Sequence, residues 1–183
     1  MALRGRNNFT GEHFFFVTTT VVRFLQIFRN HSFCDILINN IKHYQQIYKF
    51  DVLAYVIMPS HFHWIVEVKP EYGTISDIMR DIKKFTAWQI FDKIKEIGNV
   101  ELEKIFKDII DQERKLWMKR FDDEVIRNQK MFWVKLFYIH NNPVEAGLVW
   151  KPENYKYSSE RNYINNDHSL IKVNTEMGGV YMP

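Results

Sequence analysis

The chain has 183 residues and a mass of 22.2 kDa, room for one domain at roughly 100–200 residues per domain and for a sizeable core. Its 46% hydrophobic content and mean hydropathy of −0.33 are those of a soluble globular protein, and 25 basic against 22 acidic residues leave +3, a balance compatible with a nucleic-acid partner without requiring one. The single cysteine, Cys34, excludes an internal disulfide framework and a multi-cysteine zinc cluster, and it suits a reducing cytoplasm.

No apolar run approaches the length of about 18 residues needed for a membrane span. The longest candidate, Phe14 to Leu25, is interrupted by Thr18, Thr19, Thr20 and Arg23. Arg4 and Arg6 open the chain, but Asn7-Asn8 and Glu12-His13 stand where a signal peptide needs its apolar stretch. A cytoplasmic protein with no membrane association is the expectation.

Residues 13–21, HFFFVTTTV, are aromatic and β-branched, which predicts a buried strand. A helix is expected at about 32–47, capped by Ser32 or Asp35. Residues 48–58 and 61–68 read as two strands turning at Pro59-Ser60. Ile75, Ile78, Ile82, Phe85 and Gln89 share a stripe on a helix over about 74–97, with Thr74 or Ser76 as cap. Residues 100–116 form a charged amphipathic helix, 120–126 a short edge strand, and 128–142 an aromatic-rich helix limited by Pro143 and then Gly147. The tail from 150 is polar and tyrosine-rich, without a strong period. With no repeat and no linker, the pattern predicts a single domain over 1–183, its core at about 10–150 and a C-terminal segment at 151–183. Strands interleaved with helices make it α+β; the pairing order is not readable.

The most informative local feature is His61-Phe62-His63. On a strand, His61 and His63 point one way while Phe62 and Trp64 point the other. Two imidazoles one strand step apart can share a divalent ion, although such a pair can equally be structural. Tyr138 and Asn142 are four residues apart and share a helix face if the helix persists that far. A phenol is a poor nucleophile until something stabilises the phenolate, and a metal on a phosphodiester would raise its electrophilicity. Asn142 has a competing reading as an N-cap, with Pro143 opening a short helix that Gly147 ends. Tyr138 has one as a packed aromatic.

The strings AYVIMPSHFHWIVEV at 54–68, ISDIMRDIKKFTAWQI at 75–90 and FDDEVIRNQKMFWVKLFYIHNNPVEAGLV at 121–149, with PENYKYSSERNY at 152–163, resemble the HUH single-tyrosine transposases. The likeness is greatest to the REP-associated tyrosine transposases, and it covers roughly residues 10–165 in matching order. It implies a ferredoxin-like sandwich: an antiparallel sheet with helices on one side, the HUH motif on a central strand and the catalytic tyrosine on a helix. Carried over, His61 and His63 become metal ligands, Asn142 the third ligand and Tyr138 the nucleophile. The implied activity is metal-dependent nicking and strand transfer on single-stranded, hairpin-bearing repeat DNA, through a 5′-phosphotyrosine, with Mg²⁺ or Mn²⁺ as the ion. Such a protein would be nucleoid-associated when bound to DNA.

The N-terminus departs from the family pattern. Arg4-Gly5-Arg6-Asn7-Asn8 stands earlier than the related stretch of relatives, so target specificity does not carry over. Classical insertion-sequence relatives are dimers and the REP-associated branch need not be, so a homodimer stays open. Lys83, Lys84, Arg120, Arg127 and Lys135 are candidate DNA contacts, each with a competing reading as a solvated or snorkelling cation. Trp117, Trp133 and the tail tyrosines are candidate base-stacking groups, with the core as alternative. His140 lies inside the tyrosine motif but faces elsewhere on a helix. The alternatives in function are a non-catalytic or domesticated sequence-specific DNA-binding protein on the same scaffold, a hydrolase that bypasses Tyr138, and a small-molecule-binding α+β module.

Overall fold

The computed structural model describes residues 13–109 and 115–176. The Arg4-to-Asn8 stretch and residues 110–114 of the expected charged helix lie outside them. In chain order the elements are β1 (Phe14–Thr20), α1 (His31–Tyr48), β2 (Asp51–Met58), β3 (His61–Glu67), α2 (Ile75–Glu96), α3 (Val100–Ile109), β4 (Asp122–Val125), α4 (Gln129–Glu145) and α5 (Glu160–Asn165).

The four strands form one antiparallel sheet in the order β2-β3-β1-β4. β1 and β2 therefore run the same way with β3 between them, and α1 makes the crossover. That split β-α-β arrangement is the ferredoxin-like topology, as expected. β3 lies in the interior of the sheet, carrying the His-x-His pair.

Strand alternation divides the core in two. Val17, Val52, Tyr55, Ile57, Phe62, Trp64 and Val66 meet α1 and α2 on one face. Phe14, Phe16, Ala54, Val56, Met58 and Ile65 meet Phe132, Leu136 and Ile139 of α4 on the other. Helices on one side holds for α1 and α2, whereas α4 covers the opposite face. The cause is that β3 is buried on both faces, with five consecutive buried residues, and neither face can be left to water.

Helix ends follow local chemistry. α1 is capped by Asn30, whose side chain accepts from Ser32 N, rather than by Ser32 or Asp35. Thr74 and Asp77 form a reciprocal capping box on α2. α3 packs on α2 through Phe106 against Phe91, ring centroids 4.8 Å apart. Residues 115 and 116, the end of the expected charged helix, are not helical, and Trp117 bridges to Val21.

The tail is more ordered in its contacts than its composition suggests. It lies along the outer edge of β2, with Ser158 bridging Val56 and Val173 bridging Val52. Tyr155 and Tyr163 donate their hydroxyls to the carbonyls of Ile57 and Leu53, at 2.8 and 2.7 Å. The opposite edge, β4, carries Asp122, Asp123 and Glu124, all exposed, and like charges discourage pairing with another strand. Cys34 is buried. Its thiol donates to Phe28 O at 3.1 Å, and burial pushes it up to about 12.

α4 starts at Asn128, whose Oδ1 accepts from Met131 N at 2.9 Å. It runs unbroken through Asn142 and Pro143 to Glu145. Asn142 is therefore not a cap: one missing amide near a C-terminus is tolerated when the helix is held by packing. Asn128→Ala is expected to lose about 1 kcal/mol of stability, while Asn142→Ala, inside the last turn and not at a cap, should lose none. Urea denaturation of both variants checks this.

Candidate functional site

The site forms where the α4-facing layer of the sheet turns polar. Along that face of β3 the residues run Ile65, His63, His61, and beside them on β1 run Phe16, Thr18, Thr20, in register. His63 is 4% exposed, and His61 is half-buried. Their ring centroids are 4.8 Å apart. Each imidazole is held at Nδ1 by a hydroxyl: Thr18 Oγ1 lies 2.7 Å from His63, and Ser60 Oγ lies 3.1 Å from His61. With Nδ1–H donated to the hydroxyl, Nε2 keeps its lone pair.

Burial lowers the pKa of both rings. For His63 the value falls to about 3, through desolvation first and then the neighbouring His61 and Lys135. Both rings are therefore neutral near pH 7, the form that can donate a lone pair.

α4 brings the tyrosine to this pair. Its core-facing residues, Phe132, Leu136, Ile139 and Pro143, are buried. At 3.6 residues per turn, Lys135, Tyr138 and Asn142 fall on one flank of that stripe. Tyr138 is 42% exposed, and its hydroxyl makes a long contact of 3.4 Å with His63 Nε2. Phe16 fixes the floor: its ring stacks on His63 at 5.6 Å and meets Tyr138 edge-on at 6.0 Å. Asn142 sits one turn beyond Tyr138, half-buried.

The other candidates are placed elsewhere. The Lys83 amine is directed at Met118 O at 3.0 Å, and burial lowers its pKa to about 8. Lys84 lies over the Trp88 ring at 4.6 Å on the outer side of α2. Lys135 pairs with Glu124 at 2.5 Å and sits 4.4 Å from the Phe16 centroid. Arg120 and Arg127 are exposed at opposite ends of β4, the former at the His61 end. Trp117 is core, its indole donating to Lys83 O at 3.0 Å. Trp133 stacks on Phe137, centroids 5.8 Å apart, and the tail tyrosines anchor β2. His140 is 1% exposed and faces the C-terminal segment, away from the histidine pair.

Thr18, Ser60 and Phe16 were not singled out from the sequence. The signal for Thr18 and Phe16 was strand register, which needs the pairing order, whereas Ser60 adjoins His61 in the sequence itself. Among the described residues no group of three His, Cys, Asp or Glu converges on one point. A third ligand from this chain would therefore be an amide or hydroxyl, as Asn142 is. Two neutral imidazoles and an amide oxygen fit a divalent transition ion, and manganese accepts such a mixed set more readily than magnesium.

Residues 12–142 match the family described as IS200-like transposases. The chain belongs to that transposase family. It is 26% identical over 112 residues to a protein of Haemophilus influenzae named as a REP-associated tyrosine transposase, covering 61% of this chain and 60% of that relative's length. In three dimensions it is similar to a REP-associated tyrosine transposase solved bound to a REP hairpin. The TM-score is 0.64 at 22% identity, over 93% of this chain and 88% of the other. A Deinococcus radiodurans R1 transposase structure aligns at TM-score 0.50 and 13% identity, over 73% and 93%.

The lowered pKa of His63 has a sign that can be checked. Between about pH 6.5 and pH 3 the unfolded chain takes up a proton at this ring that the folded chain refuses. The stability it contributes is complete above pH 6.5 and is lost as pH falls towards 3. Urea denaturation should therefore show wild type losing more stability than His63→Gln between pH 6.5 and pH 4.

Proposed function

We propose that this chain nicks and rejoins single-stranded DNA bearing hairpins, using Tyr138 as nucleophile beside a divalent ion held by His61, His63 and Asn142. The observation that carries the reading is the approach of Tyr138 Oη to within 3.4 Å of His63 Nε2, with His61 one strand step along. Membership of a transposase family and likeness to a fold solved with a REP hairpin support DNA of that kind as substrate.

Tyr138 attacks the phosphorus of a phosphodiester. The P–O3′ bond breaks, the downstream segment stays on the tyrosine through its 5′-phosphate, and the upstream segment leaves with a free 3′-OH, its oxygen taking a proton from solvent. That hydroxyl, or one from another strand, attacks the phosphotyrosine in reverse and restores a phosphodiester, so no external energy source is needed. A divalent ion held by His61, His63 and Asn142 would supply Lewis acidity and charge neutralisation at the scissile phosphate.

The chain's residues do the rest. Phe16 stacks on His63 and sets the tyrosine ring edge-on. Thr18 and Ser60 orient the imidazoles. The exposure of Tyr138 lets a strand reach it and lets its proton leave to solvent.

The test is covalent capture on a denaturing gel, with labelled single-stranded hairpins from the flanks of the gene and Mn²⁺. Wild type should give a shifted band, Tyr138→Phe none, and His61→Ala and His63→Ala a strongly reduced one. Thr18→Val, which strips His63 of its Nδ1 partner, should raise the Mn²⁺ concentration needed about 10–100-fold. Binding with no covalent band on cognate flanks would favour the DNA-binding alternative. Cleavage that survives Tyr138→Phe would remove the tyrosine from the mechanism.

A further inference from the structure

α4 has a second polar anchor, on the flank opposite the tyrosine. His140 follows Tyr138 by two residues, about 200° around the helix axis, and is 1% exposed. Its Nε2 lies 2.8 Å from Ser159 Oγ, and its Nδ1 faces the carboxylate of Glu160, itself 3% exposed. Ser159 is fastened in turn to β2 from both sides: Tyr55 N donates to its Oγ at 3.0 Å, and its own N donates to Tyr55 O at 2.9 Å. Edge-on contact with Tyr163, at 5.3 Å between centroids, closes the far side of the ring.

Polar contacts tie these groups into one chain: Ser159 Oγ accepts from Tyr55 N and lies within hydrogen-bond distance of His140 Nε2, while His140 Nδ1 faces the Glu160 carboxylate. This is a route from backbone to backbone. It runs from β2, whose Val56 and Met58 are in register with His63 and His61, through the C-terminal segment to α4.

Apolar packing alone holds a helix above a sheet but is lenient about its rotation and axial slide. On the tyrosine flank the Lys135–Glu124 pair is half open to water and contributes little. The His140 network is dry, so leaving any of its members unpaired is costly.

We propose that His140, through Ser159 and Glu160, is a positioning residue that sets the height and rotation of α4 and thereby the distance from Tyr138 to His63. The proposal rests on the reading of Tyr138 as nucleophile. It assigns the C-terminal segment a role in the reaction, which the isolated histidine and tyrosine motifs do not suggest.

The experiment compares single-turnover covalent capture and hairpin affinity, with Mn²⁺, well below the melting temperature of each variant. His140→Ala and Ser159→Ala should each slow capture at least about tenfold, since misplacement of about 1 Å can cost up to about 100-fold. Hairpin Kd should stay within about twofold of wild type, the split between positioning and binding. His140→Gln, which keeps a side-chain donor and acceptor, should recover part of the rate and covers the case in which the alanine variant fails to fold. Phe106→Leu, a core change under the opposite face, serves as a stability control and should capture at the wild-type rate. Capture by folded His140→Ala at the wild-type rate, or an equal loss in Phe106→Leu, would overturn the proposal.

A second arm is independent of the chemistry. A single 3-fluorotyrosine at position 138 should give one narrow ¹⁹F line in the wild-type background and a broadened or divided line with His140→Ala. If wild type forms no adduct, the nucleophile reading falls and the ¹⁹F comparison still decides the positioning. Identical spectra would overturn it.

Discussion

β3 is covered on both faces, so a polar atom that points from it into the protein is costly to leave without a partner there. Phe62, Ile65 and Val66 satisfy that constraint by being apolar, whereas the buried Trp64 Nε1 is left without a hydrogen-bond partner among the described residues. His63 satisfies it by contact with Thr18 on the neighbouring strand, and the same contact orients the ring. Burial that keeps the imidazole neutral, a hydroxyl that fixes one nitrogen, and an open helix flank above the other nitrogen are consequences of one position. The site lies at the end of the sheet where the cover of α4 gives way to solvent. Tyr138 is partly open to solvent while His63 behind it is buried.

Much of this was legible in the residues. Alternation in HFHWIVEV placed both imidazoles on one face, and the 3.6-residue period placed Tyr138 and Asn142 on one helix flank. What local pattern could not reach was register: Thr18 opposite His63 depends on β1 lying beside β3, a pairing between segments some forty residues apart. The competing cap reading of Asn142 fails for a related reason. Asn-Pro-x-x-x-Gly is a sound local signal for a new helix, but the packing of Phe132, Leu136 and Ile139 carries the existing helix through it. The tail was unreadable because its order comes from the exposed edge of β2, which exists only once the sheet has formed.

The cations tell a similar story. Of the five singled out as DNA contacts, Lys83 is directed at a backbone carbonyl, Lys84 lies on an aromatic ring, and Lys135 pairs with Glu124 on a strand whose other side chains include two more acids. Arg120 and Arg127 are left exposed, at opposite ends of that strand. Among the described residues, then, three of these five cations are already engaged within the protein.

Cys34 has a practical consequence. The thiol is enclosed, donates to Phe28 O and stays protonated at any ordinary pH, so thiol reagents ignore the folded protein. A cysteine introduced at a surface position such as Trp150, which is 95% exposed, becomes the sole target for a dye or spin label. No native residue has to be removed first. In the reverse sense, alkylation of Cys34 itself counts the molecules in which α1 has come away from the sheet, a built-in clock for opening.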